Sequence, residues 1–177
     1  MTNCLKIELS PKIYVVCLSS YVNGISYGAW INVSQPLEDI LTQIKQLLSK
    51  SPMPDAEEFG IHACEGFGSW PIREYESITT IHEKALFIVE HGKMGAELIA
   101  YYSGDLGDAK KALDGYYVGE YDSELSFATD LFDDLYLDDI PDSAQFYVDY
   151  DKFRRDIFIN DYFSVKVDGR CYVFIFH

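Results

Sequence analysis

Apolar residues along the chain change their period repeatedly, and each change marks an element. Ile13, Tyr14, Val15 and Val16 form a β-rich run and predict a strand over residues 12–20. Asn23-Gly24 is a strong turn signal, and residues 26–33 return as a second strand with Trp30 inside it. Ser34 is placed to cap a helix whose first turn holds Pro36, Glu38 and Asp39, with both acids at the positive end of the helix dipole. Leu37, Ile40, Leu41, Ile44, Leu47 and Leu48 recur at spacings of three and four. They predict an amphipathic helix to about Lys50, broken by Pro52 and Pro54. Residues 59–65 predict a third strand and complete a ββαβ unit.

Gly66, Gly68 and Pro71 mark an irregular connection and a candidate boundary. Ile78, Ile81, Ala85, Ile88 and Val89 predict a helix from Ser77, with Gly92 near its end. Met94, Leu98, Ile99 and Tyr102 predict another, ending at Gly104, and Leu106, Ala109, Lys110 and Leu113 a short one before Gly115. Asp122 or Ser123 can cap the next, carried by Leu125, Ala128, Leu131, Phe132 and Leu135. Pro141 interrupts, residues 146–157 resume as helix, and residues 162–167 and 171–176 form a hairpin across Asp168-Gly169. Residues 1–11 read as a loose leader. The fold class is therefore α+β without internal repeats, in three small pieces. These are an N-terminal α+β domain over 1–66, a central helical domain over 67–104 and an acidic C-terminal α+β domain over 105–177. Pieces this small need their neighbours or a partner chain for stability.

Charge alters this picture in one region. Apolar content of 48 % and aromatic content of 15 % are ample for a core, and the net charge is −15. Since only 24 % of residues are charged, the excess comes from scarce Lys and Arg. It is concentrated: from Asp105 to Asp151 there are fourteen Asp and Glu against two Lys and no Arg. Adaptation to high salt spreads acid over a whole chain, so it does not account for this. An acidic tail poor in aromatics stays disordered. Here Tyr116, Tyr121, Phe127, Phe132, Tyr136 and Phe146 are threaded through the acids, which predicts a folded scaffold displaying carboxylates at fixed separations. Such a surface repels nucleic acid and anionic membranes. It attracts basic partners, above all a protein groove built to hold a polyanion. No run approaches 18 apolar residues and no secretion signal is present, so a cytoplasmic protein is expected. Cys4, Cys17, Cys64 and Cys171 are far apart and read as reduced, mainly buried thiols.

The chemistry-bearing clusters carry little else. Asp130, Asp133 and Asp134 share one helical face, which is either an ordinary solvated face or a row of charges at about phosphate spacing. Asp133-Asp134 with Asp138-Asp139 resembles the Asp-rich magnesium motif of isoprenoid synthases, but the chain is too short for that barrel and lacks a second cluster. His62, His82, His91 and His177 form no HExxH-like set, and no nucleophile elbow or phosphate loop is present. Neither a metal, a cofactor nor catalysis is expected. Arg154-Arg155 is the only arginine pair in the acidic half and is expected either to pair internally with carboxylates or to sit at a subunit contact.

The order of several short motifs resembles the ArdA antirestriction proteins. The pieces are Ile13-Tyr14-Val15 with Tyr21, Asn23-Gly24 and Gly28-Ala29-Trp30, then Glu57-Glu58-Phe59-Gly60-Ile61-His62 and Glu74-Tyr75-Glu76-Ser77-Ile78. Ile140-Pro141, Tyr147-Val148-Asp149-Tyr150 and Arg155-Asp156-Ile157 follow. The resemblance implies an elongated protein of three domains in series, a homodimer through the C-terminal domain, that mimics bent B-form DNA. The implied partner is the DNA-recognition subunit of a type I restriction–modification enzyme. The antirestriction motif corresponds to residues 127–139, so Phe127, Ala128, Leu131, Phe132, Leu135, Tyr136 and Leu137 are the implied dimer and motif residues. Candidate phosphate surrogates are Asp114, Glu120, Asp122, Glu124, Asp130, Asp133, Asp134, Asp138, Asp139, Asp142, Asp149 and Asp151. Duplex DNA carries one charge per ~1.7 Å of axis, so fifteen excess charges match about 25 Å of duplex. An acidic adaptor for another basic DNA-binding protein is the alternative reading.

Overall fold

A computed structural model describes residues 10–176 and divides the chain into two compact units, Met1–Gly104 and Asp105–His177. Cys4, His177 and most of the expected leader lie outside the described residues. Ser10 and Pro11 at its end are held in place: Val33 N–H donates to Pro11 O at 3.0 Å and Asn32 Nδ2 to Ser10 Oγ at 2.9 Å. The fold is mixed α+β with two three-stranded antiparallel sheets among the described residues.

In the first unit, β1 (Lys12–Cys17) is the central strand, flanked antiparallel by β2 (Gly28–Asn32) and β3 (Phe59–Glu65). Ile13, Val15, Val16 and Cys17 are all buried, as a strand covered on both faces requires. The strand stops earlier than the β-rich run suggests. A short helix α1 (Leu18–Val22) follows it, because Ser20 Oγ bonds Ser51 Oγ at 2.9 Å and Leu18 N–H donates to Glu58 O at 3.1 Å. Asn23-Gly24 therefore ends a helix instead of forming a two-residue hairpin turn. Helix α2 (Leu37–Ser49) buries Ile40 and Ile44. Its N-cap is Pro36; Ser34 is not the cap, because both its N–H and its hydroxyl donate to Asn32 Oδ1.

Helix α3 (Ile78–Tyr101) contains both helices expected in this region, joined at Gly92 with φ 66° and ψ −154°, a conformation only glycine adopts readily. Residues 66–71, the candidate boundary, fall inside this first unit.

The second unit opens with α4 (Leu106–Gly115), capped by Asp105 Oδ1 accepting from Asp108 N–H at 3.0 Å. Strand β4 (Tyr117–Tyr121) follows, an element absent from the pattern reading. Gly119 interrupts its β-rich run, next to the point where the pairing register shifts between Tyr117 and Gly119. Helix α5 (Glu124–Tyr136) starts in a capping box between Ser123 and Ser126 and runs into a 3-10 turn at Leu137–Asp139. The single helix expected over 146–157 is instead a four-residue α6 (Asp142–Gln145) and a separate α7 (Tyr150–Asn160). Asp149 Oδ1 accepts from Lys152 N–H at 2.9 Å, and this cap starts α7 afresh. The hairpin of β5 (Tyr162–Val167) and β6 (Arg170–Ile175) turns at Asp168 and Gly169, both with positive φ, and β6 is the middle strand of β4-β6-β5. Phe127, Ala128, Ile157, Cys171 and Val173 make the core between the sheet and the α5–α7 pair.

Gly92→Ala is expected to lower stability by about 1–3 kcal/mol through backbone strain alone, since no atom crowds that position. Denaturant unfolding checks it; a raised midpoint would show that α3 runs straight through this residue, where alanine is the better helix former.

Candidate functional site

The carboxylate surface is set by which face of each acidic-unit element is free. On α5, Phe127 and Ala128 point into the core while Asp130 and Asp134 are exposed and Asp133 is half-buried, following the helical period. Asp138 and Asp139 lie exposed in the 3-10 turn and Asp142 opens α6. With Asp114 at the end of α4, this leaves Asp114, Asp130, Asp134, Asp138, Asp139 and Asp142 exposed and without an ion-pair or hydrogen-bond partner among the described residues.

The other six candidates are engaged. Tyr150 donates its phenolic hydrogen to Asp133 Oδ1 at 2.6 Å, and that bond, with desolvation and the nearby charge, pushes the Tyr150 phenol above its ordinary pKa. Asp149 caps α7. Arg170 Nε donates to Glu120 Oε1 at 2.7 Å and its Nη1 pairs with Asp122. Arg154 Nη1 donates to Glu124 Oε2 at 3.1 Å, while its Nε lies 3.5 Å from Asp151. The other oxygen of Glu124 accepts from Ser164 Oγ at 2.8 Å, so this carboxylate ties α5 to α7 and to β5. Glu120, Asp122, Glu124 and Asp151 thus sit beside guanidinium groups; of the Arg154-Arg155 pair, Arg154 pairs internally with carboxylates, while Arg155 Nε donates to the backbone Asp151 O at 3.3 Å.

A layer of aromatic rings lies between α5 and α7. Phe132 meets Tyr136, Tyr150 and Phe153 at centroid distances of 5.3, 5.4 and 5.1 Å. The motif residues divide accordingly. Phe127 and Ala128 belong to the core, Leu131 packs against it, and Leu135 and Tyr136 are about half exposed, with Leu137 half-buried at the start of the 3-10 turn. A groove of about 460 Å³ runs beside them, lined by Leu131, Leu135, Tyr136 and Phe153 on its apolar part and by Asn160 and Asp161 on its polar part.

The remaining chemistry-bearing groups have structural partners. His82 Nδ1 lies 2.8 Å from Val33 O, His62 packs edge-on to Tyr21 and lies 3.6 Å from Glu74, and His91 packs on Phe87. Cys17 and Cys171 are buried and Cys64 is half-buried. Burial alone raises the Cys17 thiol, but hydrogen bonds from Ser51 and Ser20 outweigh it and bring the thiol below its ordinary pKa; burial pushes Cys171 up. Among the described residues no group of His, Cys, Asp and Glu is arranged to hold a metal ion, and no helix is long and apolar enough to cross a membrane. Two features escaped the pattern reading. One is a buried Lys84, 2.7 Å from Glu76 and stacked 4.7 Å over Trp70. The other is the exposure of Phe146 and Tyr147. No periodicity signals either one, because each depends on what the neighbouring elements cover.

Residues 13–172 match the family model described as antirestriction protein (ArdA). A comparison with curated proteins finds no match.

Glu124→Ala removes the acceptor shared by Arg154 and Ser164 and is expected to cost about 1–2 kcal/mol. Chemical denaturation followed through a probe in the second unit measures it. The Tyr150 pKa is raised on folding, so its contribution is complete below the unfolded value of about 10 and is lost as pH rises through the folded value. Tyr150→Phe should therefore show a shallower loss of stability above pH 10 than the parent; identical alkaline profiles would mean that the bond to Asp133 is absent in solution.

Proposed function

The chain belongs to the ArdA antirestriction family, and on that footing we propose that it works by mimicking B-form DNA. It occupies the DNA groove of a type I restriction–modification enzyme, engages the DNA-recognition subunit, and blocks restriction, together with methylation where the same groove serves both. It acts as an inhibitor and not as an enzyme, in the cytoplasm where such targets work, and it does not itself bind nucleic acid. The observation that carries this reading is the set of six unpaired carboxylates on ordered elements, within a unit that has no Lys or Arg between Lys111 and Lys152. A pre-organised polyanion competes with DNA without the deformation cost that real duplex carries.

Asp133 and Asp149, oriented by hydrogen bonds, extend the same negative field. Glu120, Asp122, Glu124 and Asp151 contribute less because Arg170 and Arg154 offset them. The homodimer forms through the C-terminal unit, with the groove beside Leu135 and Tyr136 as the self-association surface and Phe127 and Ala128 supporting it from within. In this reading the first unit comprises two domains, 1–66 and 67–104.

Because the field is shared, Asp130→Asn alone should weaken inhibition of purified type I enzyme only slightly. Replacing Asp130, Asp134, Asp138, Asp139 and Asp142 together should abolish it. Each surrogate removed should lower the salt dependence of log K by about one. Loss of all inhibition from one such change in a folded protein would sink the distributed-field account. Equal inhibition of unrelated basic DNA-binding proteins would favour the adaptor reading.

A further inference from the structure

We propose that Phe146 and Tyr147 form an aromatic anchor that stacks on arginine guanidinium groups of the cationic partner, as stand-ins for the π faces of nucleic-acid bases. The anchor rests on the mimic reading and adds the chemistry of the contact. Phe146 is 90 % exposed and Tyr147 82 %, the largest exposures of any large apolar side chain among the described residues. Their rings meet edge to face at 5.7 Å and 87°.

This exposure does not come from a loose segment. Gln145 Nε2 donates to Ile140 O at 3.2 Å, which ties α6 back to the 3-10 turn. Tyr147 N–H donates to Ala144 O at 3.0 Å and Val148 N–H to Gln145 O at 3.1 Å. Asp149 then caps α7. The two rings therefore stand on a backbone fixed from both ends, which reduces the ordering cost of any contact they make. Neither belongs to the core of the unit, and neither lines the groove beside Leu135.

Charge identifies the occupant. Exposed Asp138, Asp139, Asp142 and Asp149 flank the pair in the chain, and no Lys or Arg stands between them. A second copy would bring the same acids to the same place, and an apolar partner would have to strip water from these carboxylates. Arginine meets both demands: its fork pairs with a carboxylate while its plane stacks on a ring. Arginine planes stack on nucleic-acid bases in the same way. Dispersed acids steer association, whereas residence time is set mainly by a few desolvated aromatic and arginine contacts. The structure thus separates the two tasks, steering by the carboxylates and retention by the rings.

The test uses the whole protein and purified type I enzyme, with association and dissociation followed across a salt series. The F146L/Y147L pair keeps apolar bulk and removes both π faces; the F146Y/Y147F pair keeps the rings. The Leu pair is expected to dissociate about tenfold faster, with the parent's association rate and salt slope, while the ring-keeping pair behaves as the parent. Parental dissociation of the Leu pair, or an equal loss in the ring-keeping pair, overturns the anchor. So does a Leu pair that sediments as a smaller species than the parent, since the rings would then serve self-association. A parent that shows no salt-dependent binding removes the mimic reading and the anchor with it. Salt-steep parental binding with an unchanged Leu pair removes the anchor alone.

Discussion

Carboxylates that repel one another must be held by an interaction that does not depend on charge, and in the acidic unit that interaction is the packing around Phe127. Its ring meets Tyr121 of β4 at 5.0 Å, Phe158 of α7 at 6.0 Å and Tyr162 of β5 at 4.9 Å. One side chain thereby touches three other elements, while Ile157, Cys171 and Val173 close the space around it. Edge-to-face aromatic pairs add roughly 0.5–1.5 kcal/mol each beyond buried area. Helical like-charge neighbours cost only a few tenths of a kcal/mol. The aromatic core outweighs the local repulsion, which is why so acidic a segment folds.

Two of the basic residues of this unit, Arg154 and Arg170, are placed where carboxylates meet the joints between elements. Arg154 and Arg170 each serve two acids, at the start of α5 and beside β4, where Glu124 also receives the Ser164 hydroxyl. Farther along, from Asp130 to Asp142, no cation is near in the chain. The consequence is a division of the acidic residues into a compensated group that fastens elements together and a free group that faces solvent. The free group, with the hydrogen-bonded Asp133 and Asp149, is left without a cation to offset its charge among the described residues.

Much of the fold was legible in the pattern of residues. Strand β3, the Ser123 cap of α5, the break at Gly92 and the hairpin turn at Asp168-Gly169 all follow from local preference, and local preference prevailed there. Elements decided by distant partners were not legible. Helix α1 exists because Ser20 reaches Ser51, and β4 exists because β6 offers it an edge despite the register shift at Gly119. The separation of α6 from α7 came from competition between helix propagation and the Asp149 cap, and the cap won.

For the acidic surface, the sequence by itself determined the sign, the amount and the location of the charge, together with the aromatic residues that make a folded scaffold affordable. It also carried the family resemblance, since short motifs in a fixed order need no coordinates to be recognised. Which carboxylates remain free, and which aromatics face solvent, only the tertiary structure decided. Asp134 and Glu124 are both acids on one helix, yet Asp134 faces solvent while Glu124 lies under a guanidinium. Phe132 and Phe146 read alike in the chain, but one is packed among three rings and the other stands almost bare. The reason is physical: exposure and pairing depend on what other segments bring alongside a residue, and in this unit those segments come from as far as fifty positions away.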